Sequence, residues 1–187
     1  MSFTIAKILV EKVVRLAKEL GREIADYTEY VTGERPDGTI NLSNSSFLLR
    51  GTSFLDCRNG IRYEASVKKT LTLCGCTFRD GVGSGGSAGG VRAVDKGVVA
   101  ATNCLFVGNS CNTFVESAGA ALSFYGSEEH TLVDCVFKEN KTTVHGSGAV
   151  VLWSGASARL YRCRFLNNRA DLTGDAGVLH SACLSYG

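Results

Sequence analysis

A glycine-rich stretch, GVGSGGSAGG at residues 81–90, holds a spacing that could cradle a phosphate. Gly81, Gly83 and Gly86 match G-x-G-x-x-G, which in dinucleotide-binding proteins follows a strand and opens a helix. The next residues, VRAVDKGVVAATNCLF, are rich in β-branched side chains and glycine, and they predict no helix. The stretch is therefore interpreted as a glycine-rich loop, and no cofactor is predicted.

Cysteine is the second residue type that could do chemistry, and the chain contains eight of them. Cys74 and Cys76 form a C-x-C pair, but no histidine or further cysteine lies at the spacing of a zinc site, so no metal is predicted. Four cysteines recur two residues before a phenylalanine, namely Cys76, Cys104, Cys135 and Cys163. A repeating inward position suits a small buried hydrophobic side chain, and reduced, structural thiols are expected.

Histidines and carboxylates do not form a catalytic pattern. The three histidines, His130, His145 and His180, share no repeating position. Glycosidase chemistry requires two carboxylates across a cleft, whereas the acidic residues here fall mostly singly in loops. They include Asp95, Glu116, Glu128, Glu129, Asp134, Asp171 and Asp175. We therefore expect a protein that is not an enzyme.

Two internal repeats indicate which elements position these residues. Phenylalanine recurs every 24 to 31 residues, and a glycine that opens an apolar stretch recurs every 29 or 30. The phenylalanines are Phe54, Phe78, Phe106, Phe137 and Phe165, and the glycines are Gly60, Gly89, Gly119, Gly148 and Gly177. Because two independent markers keep one period, the chain is predicted to be a solenoid of stacked repeats.

Each repeat reads as a short strand, a bend, a second strand with the C-x-F pair, a loop and a third strand. An aliphatic residue five positions before each phenylalanine is out of phase with it along a strand, and a bend between them returns both to the interior. Stacking such units predicts an all-β solenoid, a right-handed parallel β-helix of about five coils. Asn109, Asn140 and Asn168 follow three phenylalanines at the third position, where a left-handed turn conformation and a side-chain ladder are expected.

The first 25 residues carry a different period. Apolar residues recur there at intervals of three and four, namely Ile5, Ile8, Leu9, Val13, Leu16, Leu20 and Ile24. This pattern predicts an amphipathic helix that caps the first coil or, as the alternative, docks onto a partner. The chain is accordingly divided into an N-terminal helix or cap, residues 1–30, and a parallel β-helix repeat domain, residues 31–187.

Charge and hydropathy exclude two kinds of partner. The formal charge is only +2 and the basic residues are scattered, so no nucleic-acid surface is predicted. No stretch approaches 18 apolar residues without a charge, so no membrane span is predicted. Lys7, Glu11 and Lys12 interrupt the apolar run that a secretory signal would need. A cytoplasmic location is expected, with the cell surface as the alternative.

The paired motifs resemble the repeats of polymorphic outer-membrane proteins, which combine G-G-A-[ILV] with F-x-x-N. The matching segments are GGV at 89–91, GAA at 119–121, GAV at 148–150, FVGN at 106–109, FKEN at 137–140 and FLNN at 165–168. The resemblance covers roughly residues 41–187. It implies the β-helix fold, which hosts adhesins, lyases, phage fibres and passive scaffolds, and so it implies no single function.

The residues left for function are therefore on surfaces. The final stretch, AGVLHSACLSYG, is strand-like and uncapped, and we expect the C-terminal coil to seat another chain or a second copy. Possible contact residues lie on the N-terminal helix and in one long loop, namely Ile5, Leu9, Leu16, Leu20, Phe114 and Val115. The predicted function is a non-catalytic structural or interaction scaffold in a larger assembly. The alternatives are a glycan-binding, adhesin-like surface protein and, less favoured, a polysaccharide lyase or hydrolase.

Overall fold

The computed structural model describes residues 30–32, 40–84, 88–112, 119–143, 147–170 and 179–181. Within these residues the regular structure consists of parallel strands, and there is no helix. The chain passes from one sheet to the next in each turn, while segments one repeat apart pair side by side. The chain therefore winds as a parallel β-solenoid of about four turns.

Three parallel sheets form the walls of the solenoid, with strands numbered in chain order. The first wall contains β1 (Tyr30–Thr32), β4 (Ser53–Leu55), β6 (Thr77–Arg79), β9 (Leu105–Val107), β13 (Val136–Lys138) and β17 (Arg164–Leu166). The second wall contains β7 (Val82–Gly83), β10 (Ser110–Cys111), β14 (Lys141–Thr142) and β18 (Arg169–Ala170). The third wall contains β2 (Ile40–Ser43), β3 (Phe47–Arg50), β5 (Ile61–Cys74), β8 (Val91–Thr102), β11 (Leu122–Gly126), β12 (Glu129–Val133), β15 (Val150–Trp153), β16 (Ser157–Tyr161) and β19 (Leu179–Ser181).

Sharp bends separate the third wall from the first and the first from the second. Each bend position holds a residue in the left-handed conformation, which turns the chain without a long loop. The bend before the phenylalanine is made by Gly51, Gly75, Asn103, Asp134 and Arg162, with φ between 52° and 62°. The bend after it is made by Asp56, Asp80, Gly108, Glu139 and Asn167, with φ between 51° and 66°.

The second of these bends corrects one expectation. The sequence pattern placed the left-handed residue at Asn109, Asn140 and Asn168, but the positive φ falls on the residue before each asparagine. Because the corner is already turned, Asn109 and Asn140 point into the solenoid and are completely buried.

The core is built from columns of like residues. The rings of the five repeating phenylalanines stack face to face, with centroids 4.6, 4.9, 4.9 and 4.8 Å apart and planes within 7° of parallel. This spacing equals the distance between neighbouring strands, about 4.7–4.9 Å, so strand pairing sets the ring separation. The aliphatic column beside it, which includes Leu49, Leu73 and Leu132, is also buried.

The number of turns and the N-terminal cap differ from the sequence-based expectation. Five coils were predicted because phenylalanine recurs five times, but five stacked residues from Phe54 to Phe165 bound only four turns. The N-terminal helix or cap was predicted for residues 1–30. Residues 1–29 lie outside the described residues, and Tyr30 begins β1. The described part of the chain contains no helix long and apolar enough to cross a membrane.

Candidate interaction site

The glycine motif forms part of a wall and a corner. Val82 and Gly83 form β7, and Gly81 occupies the column that asparagine fills in later turns. A Cβ on Gly81 would lie 2.3 Å from the Gly89 carbonyl oxygen and 2.9 Å from Asn109 Oδ1. Gly81 is therefore required by close approach of the backbone, and its N–H donates to Asn109 Oδ1 at 3.1 Å. Gly86 lies outside the described residues.

The repeating cysteines line the interior beside the phenylalanine stack. Each sulfur lies 3.3–3.6 Å from the carbonyl oxygen of the aliphatic residue one turn earlier, in Cys76, Cys104, Cys135 and Cys163. All seven cysteines within the described residues are free thiols. Burial, and then the nearby Asp56 carboxylate, raises the pKa of the Cys57 thiol to about 11. The thiolate is the reactive form, so this position is chemically quiet at neutral pH.

The asparagine ladder ties successive turns together along the solenoid axis. Oδ1 of Asn140 accepts from the backbone N–H of Asn109 at 3.0 Å and from Asn109 Nδ2 at 2.9 Å. Nδ2 of Asn140 donates to the Phe106 carbonyl at 2.9 Å and to Asn168 Oδ1 at 2.8 Å. The Asn140 amide thus makes all four bonds it can make, without any ligand.

Asn168 is the last member of the ladder within the described part of the chain. Its Nδ2 donates to the Phe137 carbonyl at 2.9 Å, and its Oδ1 accepts from Asn140. An amide carries two N–H donors, and the second has no acceptor among the described residues. In Asn109 and Asn140, this second N–H donates to the side-chain oxygen of the asparagine one turn later.

Strands β16, β17 and β18, here called the terminal rung, are each the last described strand of their column. Within the described residues they pair on one side only, with β12, β13 and β14. Leu160, Cys163 and Phe165 are partly exposed, whereas Leu132, Cys135 and Phe137 one turn earlier are fully buried. Tyr161 and Leu166 are 58% and 44% exposed. Among the residues that the structure describes, the terminal rung therefore combines partly exposed apolar side chains with strand edges that have a partner on one side only.

The terminal rung is also strongly basic. Residues 157–170 contain four arginines and no acidic residue, although the whole chain carries a formal charge of only +2. Arg159 pairs with Glu129 at 2.9 Å, and Arg162 forms a two-point contact with Asp134 that lowers the pKa of that carboxyl. Arg164 is exposed and makes no ion pair within the described residues. Two of the four arginines are thus paired with carboxylates of the turn before the rung.

The outer face of the third wall carries a second polar and aromatic cluster. Arg62 is paired with Glu64 at 2.8 Å and aligns in register with Arg92 of the next turn. The Arg92 guanidinium lies 6.0 Å from the centre of the Tyr125 ring, and Tyr125 is in register with Trp153. Burial, and then the charge of Arg62, lowers the pKa of Arg92. We call Arg62, Glu64, Arg92, Tyr125 and Trp153 the outer-face cluster.

Groups suited to acid–base or metal chemistry are dispersed. His130 is buried, accepts the Val99 N–H at its Nδ1 at 3.0 Å and stacks on Phe124 with ring centroids 3.8 Å apart. Burial lowers the pKa of His130 to about 4, so it is neutral at pH 7. Glu128 lies between Lys68 and Lys96 at 3.2 and 3.4 Å. Among the described residues, no three His, Cys, Asp or Glu side chains converge on a point where a metal ion could bind.

The remaining predicted contact residues are not placed. These residues lie outside the part of the chain that the structure describes: Ile5, Leu9, Leu16, Leu20, Phe114 and Val115. Of the two remaining histidines, His145 also lies outside it and His180 belongs to β19. The sequence interpretation missed the arginines of the terminal rung and the outer-face cluster. Counting charges within one repeat would have revealed the arginines. The cluster depends on cross-turn register, which single-residue spacing does not reveal.

No protein-family model, curated protein or solved structure matches the chain. The similarity of its repeats to those of polymorphic outer-membrane proteins therefore rests on the short motifs alone, while the solenoid fold rests on the strand pairing.

Proposed function

We propose that the chain is a non-catalytic structural or interaction scaffold, a right-handed β-helix component of a larger protein assembly. The observation that supports this most is the terminal rung, where, within the described residues, three strands pair on one side only and Leu160, Cys163 and Phe165 are partly exposed. A sheet edge of this kind pairs readily with another chain, because its N–H and C=O groups are unpaired and its side chains are apolar.

The interior supports the same proposal. The repeated phenylalanines, cysteines and asparagines are used in packing and in bonds between turns, which leaves the walls, corners and ends of the solenoid for binding. A surface depression lined by Arg58, Val82, Ser84 and Asn112 has a volume of about 210 Å³. This is below the roughly 300–1,000 Å³ of ordinary small-molecule sites. This depression is therefore smaller than an ordinary small-molecule site.

The proposal is tested by affinity capture of the tagged full chain from its native cell lysate, followed by quantitative mass spectrometry. Two variants run in parallel, one lacking residues 1–30 and one carrying Arg164→Glu in the terminal rung. A stoichiometric protein partner that is lost with one variant is the expected result. Recovery of the bait alone, combined with a purified chain that does not self-associate, would contradict a scaffold role.

A second candidate function is glycan binding at the cell surface, with a likeness to polymorphic outer-membrane repeats. The outer-face cluster favours it, because Tyr125 and Trp153 are aligned on one face beside the charged groups of Arg62 and Glu64. Aromatic rings offer a flat apolar surface, and guanidinium and carboxylate groups form directed hydrogen bonds to hydroxyl groups. Binding to a glycan array that disappears in Tyr125→Ala, with an unchanged thermal midpoint, would support this alternative. The scaffold proposal places the protein in the cytoplasm instead, where free thiols persist.

A further inference from the structure

We propose that the interior cysteines bind a soft metal ion, Cu(I), in line between two sulfurs from successive turns. The residues concerned, here called the thiol column, are Cys76, Cys104, Cys135 and Cys163, and all four are free thiols. The site goes beyond the proposed scaffold function and does not depend on it. It rests on the alignment of the sulfurs, on their spacing and on the number of ligands that each ion would find.

The backbone holds the thiol column in register. The carbonyl of each of the first three cysteines accepts a bond of 2.9 Å from the residue after the next cysteine, namely Leu105, Val136 and Arg164. The side chains also point the same way. Each sulfur lies 3.4–3.7 Å from the carbonyl oxygen two residues earlier and 3.3–3.6 Å from the carbonyl oxygen of an aliphatic residue in the preceding turn. The sulfurs therefore repeat at the spacing of the strands.

This spacing fits an ion with two ligands on opposite sides. The phenylalanine rings two residues after these cysteines lie 4.9, 4.9 and 4.8 Å apart from turn to turn. Neighbouring sulfurs of one orientation are therefore about 4.8 Å apart, as neighbouring strands are. Two metal–sulfur bonds of roughly 2.3 Å placed end to end span about 4.6 Å. A disulfide requires sulfurs about 2.05 Å apart, so the ion fits with less movement.

The ligand set indicates the kind of ion. Thiolates favour soft ions such as Cu(I), which accepts two ligands in a line, whereas Zn²⁺ in structural sites takes four. Among the described residues, no three metal-binding side chains converge on one point, and two is what each step of the thiol column supplies. Two thiols and one Cu⁺ give one thiolate–copper–thiolate unit and two protons, and no electron is transferred.

The thiol column has room for two such ions. If each sulfur serves one ion, Cys76 pairs with Cys104, and Cys135 pairs with Cys163. The other two buried cysteines have no thiol in the following turn, because Cys57 is aligned there with Gly81 and Cys111 with Thr142. The proposed binding therefore depends on adjacent thiols and not on the number of cysteines.

Two double variants of the full chain separate adjacency from cysteine content. Cys76→Ala with Cys163→Ala keeps the neighbours Cys104 and Cys135, whereas Cys104→Ala with Cys163→Ala keeps Cys76 and Cys135, which are two turns apart. Both variants lose two thiols of the column and retain all other cysteines. Cu(I) is supplied without oxygen as its acetonitrile complex, during refolding and after it, in competition with a chromogenic chelator. Native mass spectrometry then counts the ions that each chain retains.

We expect two retained ions in the natural chain, one in the variant with neighbouring thiols and none in the variant with separated thiols. X-ray absorption of the retained ion should show two sulfur neighbours. Equal retention by the two double variants, three or more sulfur neighbours, or no retained ion in the natural chain would overturn the proposal. If circular dichroism shows that an alanine variant is unfolded, the serine versions of both pairs, which keep a donor for the carbonyl oxygens, are compared instead.

Discussion

Replacing Asn140 by alanine is the perturbation whose effect can be worked out most fully. The substitution removes the four hydrogen bonds of the Asn140 side chain. It leaves the Asn109 backbone N–H, one Asn109 amide hydrogen and the Phe106 carbonyl without those partners, at residues that are completely buried. Each unsatisfied buried group costs about 1–3 kcal/mol.

Allowing for partial relaxation or entry of water, we expect Asn140→Ala to lower the free energy of unfolding by about 3–6 kcal/mol. This is a large part of the roughly 5–15 kcal/mol that stabilises a typical domain. Urea denaturation followed by circular dichroism measures the loss. The matched control is Asn112→Ala, because Asn112 is exposed, and a change within about 0.5 kcal/mol is expected there. A loss below about 1 kcal/mol in Asn140→Ala would refute the view that the ladder stabilises the stacked turns.

Three further predictions concern the core. Burial lowers the pKa of His130 from 6.5 to about 4, so protonation of this side chain favours the unfolded chain. The free energy of unfolding should therefore fall by about 3 kcal/mol as the pH drops from 6.5 to about 4. This loss should be absent in His130→Gln. Phe106→Ala, in the middle of the ring stack, should cost about 3–5 kcal/mol in urea denaturation, whereas Tyr125→Ala on the outer face should cost far less. Alkylation followed by mass spectrometry should label Cys74 and Cys163 in the folded protein well before Cys57 and Cys104, which are buried; equal labelling would show that the core opens readily.

Much of the fold could be predicted from the sequence because a solenoid repeats its interior. Phenylalanine and cysteine two residues apart must share a face of a strand, and the out-of-phase aliphatic residue demands a bend, which the structure makes at Gly75, Asn103 and their equivalents. The residue that adopts the left-handed conformation at each bend was harder to predict. Glu139 and Arg162 adopt the left-handed conformation without being residues that favour it, since the backbone bonds on both sides hold them there.

The candidate site was less predictable than the fold. The charge of the terminal rung depends on which residues of that turn face outward. The outer-face cluster depends on register, because Arg62 and Arg92 are 30 residues apart in sequence and neighbours across a strand pair. Periodicity identifies the columns in which one residue type repeats. The outer-face cluster lies in columns whose residue type changes from turn to turn, so periodicity does not reveal it.

Amide hydrogen exchange of the terminal rung tests the central claim most directly. Peptides covering β16, β17 and β18 are compared with those covering β12, β13 and β14 in the natural chain, at low and at high protein concentration. The account predicts that β12, β13 and β14 are protected throughout, while the terminal rung exchanges quickly when dilute and becomes protected once another chain is seated on it. A terminal rung that is fully protected in a chain that stays monomeric would contradict the claim that this edge is open for binding.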